Sequence, residues 1–321
     1  MLALARYVGQ NKRMERMSRA CPYCGAVNAS GGIEVREHHL GLKDAFRYLI
    51  CDECGSIFIA NPQIDLSPYY PVTYYSYGGD RKGPLGHLDR FAWELHAKRF
   101  LSLFRGAGAA LGKESEIVDV GSGAGHLLRA LRRLGYHRTT GIDPYLDAGV
   151  GTNGITVIRE NLDAVVDRQL VKSADAIMFH HSLEHVAEPA IQLRNAAKLL
   201  RPAGSILVRI PVAAYAWERY REYWWGLDAP RHLAIPTEQG MKRLAERVGL
   251  ECLLVRYDSS AMQFLVSEVY ARGDSLLHAF RASPPRTALR MITSIPQQIR
   301  ARKLNAQQRG DQAAFVLRAR S

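Results

Sequence analysis

The chain has no run of 18 apolar residues, so no part of it is expected to form a membrane-spanning helix. A secretory leader is not expected either, because Met1-Leu2-Ala3-Leu4-Ala5-Arg6-Tyr7 is charged too early and its apolar stretch is too short. Cysteine is scarce, five in 321 residues, and four of the five fall in two C-x-x-C pairs. That pattern argues against a disulfide scaffold and for a metal site in a reducing cytoplasm. Acidic residues are short as well, 31 against 43 Lys and Arg, for a net charge of +12. Such a balance suits nucleic acid, an anionic membrane surface or a phosphorylated substrate. Much of the excess lies in Lys12 to Arg19 and Arg281 to Lys303, where solvated faces explain it equally well.

A hydrophobic content of 47% over this length supports one large domain and a smaller one. The large one is organised around Ile117-Val118-Asp119-Val120-Gly121-Ser122-Gly123-Ala124-Gly125-His126, which reads as a buried strand, a glycine turn and a helix start. Alternating glycines let the backbone turn sharply and approach a ligand, and the helix N-terminus behind them favours negative charge. A dinucleotide fingerprint would need glycine or alanine at the sixth position, and His126 stands there, so a nicotinamide cofactor is disfavoured. About twenty residues on, Thr139-Thr140-Gly141-Ile142-Asp143 places a carboxylate at a strand tip, where it can bind ribose hydroxyls.

Strand and helix patterns alternate between Ile117 and Val255, which predicts an α/β fold with a mainly parallel sheet and helices on both faces. The glycine loop, Asp143, Ala174 to Phe179, Ser182-Leu183-Glu184-His185-Val186 and Leu199 to Val208 together resemble the class I methyltransferases that use S-adenosylmethionine (SAM). The resemblance covers about 115 to 260 and implies a seven-stranded Rossmann-like sheet. Its last strand, Gln312 to Arg318, would enter antiparallel between the fifth and sixth, making 260–310 a basic helical insertion. That insertion could cover the site, touch an anionic membrane or support a homo-oligomer. The resemblance also implies that Asp119, Gly121, Ser122, Gly123, Gly125, Asp143 and His180 hold the cofactor. Asn161 and Leu162 would meet the adenine, although many relatives carry Asp where Asn161 stands.

Ahead of this domain, after a basic lead-in over 1–20, Cys21, Cys24, Cys51 and Cys54 form two knuckles, each followed by glycine. Four thiolates close a tetrahedral structural zinc site, so 21–65 resembles a zinc ribbon. Residues 66–110 hold a tyrosine-rich irregular segment, fit to cover a ring-shaped substrate or to pack against the ribbon, and then a helix from Leu88 to Phe104. The aromatic residues Trp217, Tyr220 and Trp224 have helical spacing and read as core before substrate wall. Asp228, Arg231 and His232 are harder to place in a core, because charge is seldom buried unpaired.

Histidine can accept a proton near neutrality without a large shift in pKa, so His181, His185 and His232 are candidate bases. His181 ranks first for its position at the strand end, and Glu184 and His185 are expected to begin the next helix. Some relatives hold a divalent metal with Glu-x-x-Glu-His here; His181 occupies the first position instead. The ribbon, the tyrosines and Asp-Ala-Pro-Arg-His resemble bacterial methyltransferases of sugars, polysaccharide precursors or natural products. The expected function is therefore O-methylation of a small molecule or glycan. RNA methylation is the alternative, disfavoured because Phe179-His180-His181-Ser182 replaces the Pro-Pro motif of base N-methylating relatives. A non-enzymatic SAM-binding protein is a third reading, and the histidines argue against it.

Overall fold

The computed structural model describes residues 19–29, 31–70, 83–146, 154–169, 171, 173–282 and 294–320. Tyr74, Tyr75 and Tyr77, most of the lead-in and the Ser283-Pro284-Pro285 break lie outside them.

Two sheets build the molecule. The larger has seven strands in the order β10-β11-β8-β7-β4-β5-β6. These are β4 (Ile117–Val120), β5 (Thr139–Ile142), β6 (Thr156–Ile158), β7 (Ala174–His180), β8 (Leu200–Pro211), β10 (Leu250–Tyr257) and β11 (Gln312–Ala319). β4 to β8 run parallel, and β11 lies antiparallel between β8 and β10, as expected. All four residues of β4 are buried, because helices cover both faces of the sheet. β8 pairs with β7 from Leu200 onward, with a register shift between Ala174 and Ala176.

The helices are α1 (Gly83–Gly106), α2 (His126–Arg133), α3 (Leu162–Asp167), α4 (Pro189–Leu199), α5 (Tyr215–Tyr220), α6 (Glu238–Arg247), α7 (Met262–Ala271), α8 (Leu276–Ala282) and α9 (Ile295–Ala306). α1 packs Ala97, Phe100, Leu103 and Phe104 against Leu127, Leu128 and Leu131 of α2. Each fully buried phenylalanine or leucine there contributes about 1.5–3 kcal/mol. Phe91 and Leu95, which share the helical spacing of Phe100, Leu103 and Phe104 and would be expected on the same stripe, are exposed instead. Trp217, Tyr220 and Trp224 are buried together in a second core, the structural role their spacing favours.

The smaller sheet is antiparallel, in the order β1-β2-β3-β9. It comprises β1 (Gly31–Arg36), β2 (Ala45–Ile50) and β3 (Ile57–Ile59) of the cysteine region, and β9 (Ala234–Ile235), which follows His232. The cysteine region thus shares its sheet with β9, a strand that follows the larger sheet's β8 in the chain.

Candidate active site

Gly121, Gly123 and Gly125 all have positive φ, at 76°, 51° and 77°. A side chain at Gly121 would run into Ser182, and one at Gly125 into Ile155. The loop is therefore a cradle that only glycine can form. Asp143 closes its far side, accepting from Gly123 N at 2.8 Å with Oδ2 and from Tyr145 N at 3.0 Å with Oδ1. Leu146 adds a third backbone hydrogen bond, and the carboxylate still has acceptor capacity for a hydroxyl. Two buried polar atoms at the cradle have no protein partner, Ser122 Oγ and Asp119 Oδ1. Burial, with Asp143 adding, pushes the Asp119 carboxyl up to about 8. Leu162 is buried, whereas Asn161 spends its side chain capping α3, accepting from Ala164 N at 2.8 Å. An open glycine cradle with orphaned polar atoms suits a polar ligand such as SAM.

The segment after β7 leaves the strand through His181, whose φ is 55°. Ser182 then donates to Val120 O at 2.6 Å, which pins the segment against the glycine loop. Glu184 and His185 lie in a short 3₁₀ turn, Leu183–His185, and α4 starts only at Pro189. The expected helix position for this pair is thus corrected: Glu188-Pro189 sets the helix start, because proline fits the first turn.

Arg209, near the end of β8, carries no local sequence signal for a role in the site. Its Nη1 donates to His180 Nε2 at 3.0 Å and His181 Nε2 at 2.6 Å. Its Nε donates to buried Asp258 at 2.7 Å, which also pairs with Arg99 of α1 at 3.1 Å. A guanidinium cannot accept, so both imidazoles present lone pairs to it at Nε2. His181 therefore carries its proton on Nδ1 and gives it to Glu184 Oε1 at 3.1 Å. Burial holds His180 well below the usual histidine range. From α1, Trp93 stacks on His126 with ring centroids 5.6 Å apart and meets His180 edge-on at 6.0 Å.

His185 donates from Nδ1 to Arg231 O at 3.0 Å, with the Tyr70 hydroxyl at the same distance. His232 donates from Nδ1 to Gly226 O at 2.7 Å. Both rings thus carry their lone pair on Nε2, and their centroids are 4.8 Å apart. Glu184 is fully buried, and its Oε2 has no partner. One ligating atom from each of Glu184, His185 and His232 lies within 4.8 Å of the other two. Burial works against the Glu184 charge, but His181, His185 and His232 outweigh it and hold the carboxyl below its usual range. Burial, with His232 adding, pushes His185 down to about 4. The fully buried Arg231 donates from Nε to the half-buried Asp228 carboxylate at 2.8 Å, so the charges of Asp-Ala-Pro-Arg-His are paired.

The four cysteines gather as the sequence predicts. Cys21 and Cys54 sulfurs are 3.7 Å apart, and those of Cys24 and Cys51 3.4 Å. A tetrahedral zinc bound at about 2.3 Å needs sulfurs roughly 3.8 Å apart. The donor set therefore fits zinc, with no position left for a substrate. Cys252 stands apart, half-buried in β10.

A family model described as a methyltransferase domain matches residues 92–255, from α1 through β10. A ubiquinone biosynthesis O-methyltransferase of Caulobacter vibrioides is 32% identical over 100 residues, 29% of this chain and 39% of that protein. The chain thus spans about two fifths of the length of this curated relative. Among solved structures, a SAM dependent methyltransferase from Archaeoglobus fulgidus has 15% identity and a TM-score of 0.44, covering 71% of this chain and 93% of the other. The magnesium protoporphyrin IX methyltransferase of Synechocystis PCC 6803, with SAH bound, has 15% identity and a TM-score of 0.42, covering 61% and 92%.

Proposed function

The chain belongs to the methyltransferase-domain family, and on that premise we propose that it is a SAM-dependent O-methyltransferase acting on a hydroxyl of a small molecule or glycan. The observation that carries this reading is the joint at Ser182. It locks the glycine cradle on one side to the Glu184–His185–His232 cluster on the other. A cofactor site and a group of proton acceptors thereby share one wall.

Bound SAM supplies a methyl group on a sulfonium, open to in-line attack. The glycine loop receives its methionine end and Asp143 its ribose hydroxyls. The protein must then orient the acceptor hydroxyl and take its proton. His185 takes that proton at Nε2, and Glu184 and Asp228 stabilise the imidazolium. Arg209 occupies the Nε2 lone pair of His181, so His185 replaces His181 as first-ranked base. His181 instead orients Glu184. Cys21, Cys24, Cys51 and Cys54 hold a structural zinc.

Tritiated SAM, incubated with the protein and separate cell fractions of glycolipids, small metabolites and RNA, tests the reading. Label should enter the glycolipid or small-molecule fraction, and His185→Ala should lower its rate by about a hundredfold or more. Label confined to RNA, or a His185→Ala rate equal to that of the parent, contradicts it.

A further inference from the structure

The segment that carries Asp228, Arg231 and His232 is held from two sides. On the side of the larger domain, Leu233 N donates to Glu184 O at 2.8 Å. On the other side the ribbon supplies three hydrogen bonds, beside the one that Arg231 Nη1 donates to Tyr69 O at 3.1 Å. Ile59 N donates to Leu233 O at 2.9 Å, Tyr23 OH to Ala234 O at 2.9 Å, and Tyr48 OH to His232 O at 2.9 Å. β9 completes the ribbon sheet in register, with Ile57 opposite Ile235 and Phe58 opposite Ala234. The second knuckle reaches the same segment, since Thr237 Oγ1 donates to Cys54 O at 2.5 Å.

These contacts are not equivalent. The carbonyl of Ala234 is bonded within a strand that sheet pairing also holds. The carbonyl of His232 lies outside the sheet and belongs to the residue whose ring faces His185. Tyr48 is fully buried, and burial raises its phenol far above the usual range, so it remains a donor. It also stands in β2, which runs directly into Cys51.

We infer that Tyr48 is a positioning residue for the acceptor side. Its hydroxyl, through the His232 carbonyl, sets the His232 ring against His185 and so couples the zinc ribbon to catalysis. The ribbon then acts as part of the acceptor site rather than as a separate module for binding a partner. The cofactor cradle, built from β4, β5 and the loop after β7, lies outside this coupling. The inference rests on the assignment of His185 and His232 to the acceptor side.

Tyr48→Phe removes one hydroxyl and leaves a buried carbonyl unpaired, whereas Tyr23→Phe does the same two residues further on and serves as the control. Histidine ring nitrogen–proton spectra of the zinc-loaded protein, assigned with His185→Ala and His232→Ala, give the readout. Tyr48→Phe should displace the His185 and His232 signals, keep the SAM dissociation constant within about twofold, and lower turnover at least tenfold at unchanged KM for SAM. Tyr23→Phe should leave both signals near their parental positions. The inference is overturned if Tyr48→Phe leaves the two signals in place, or if Tyr23→Phe moves them as far. Should Tyr48→Phe fail to fold, chelating zinc from the parent decides: the same two signals move, or the coupling is absent. A parent protein that does not bind SAM would instead defeat the functional assignment, leaving the ring spectra still informative.

Discussion

Arg209 shows how one side chain can redirect a catalytic assignment. From the sequence, His181 is the strand-end histidine and the natural base; beside a guanidinium that only donates, its Nε2 lone pair is already used. His185 differs, with Nδ1 fixed by a backbone carbonyl and its charged form opposed by burial. This has a consequence for stability. His185 is pushed down to about 4 in the folded chain and returns to about 6.5 when unfolded, so between these values the unfolded chain binds the extra proton. Stability should therefore fall as pH drops through that window, by about 3 kcal/mol at its lower end. Urea unfolding of the parent and of His185→Gln at pH 7.5 and pH 4.5 checks this. The parent should lose more stability than the variant, and equal losses would count against the buried neutral imidazole.

Among the elements, the glycine turn makes the strictest demand on sequence. Gly125 combines a φ of 77° with a neighbour, Ile155, where a side chain would go. Gly125→Ala should thus cost stability and at least tenfold in SAM affinity, read by thermal unfolding and calorimetry; an alanine variant that binds like the parent would show that the turn does not form the cradle. This turn was legible because glycine spacing, buried strands and caps are local signals. So were the buried strands β4 and β5, which occur at the predicted residues. What local pattern could not supply was partnership across the fold. Nothing near Arg209 in sequence announces that it meets His180, His181 and Asp258, nor does Tyr70 announce His185. The same limit hid β9, two residues long, whose pairing with β3 fixes where His232 sits. Asn161, expected at the adenine, has its side chain committed to capping α3.

For the molecule as a whole, the ribbon and the larger domain share a sheet, so loss of the metal should be felt beyond the knuckles. Cys51→Ser opens the thiolate shell and should reduce bound zinc from one per chain to well under one, as metal analysis would report. Full zinc retention would mean that the four sulfurs do not form the site. The cradle and Asp143, by contrast, belong to the larger domain alone. Titration calorimetry of SAM into the zinc-loaded protein and into Asp143→Ala addresses the cofactor assignment most directly. One SAM per chain should bind the parent, with affinity about tenfold to a hundredfold weaker in Asp143→Ala, as expected for a lost charge-assisted hydrogen bond of roughly 1.5–3 kcal/mol. No heat of binding in the parent, or equal affinity in the two proteins, would contradict it.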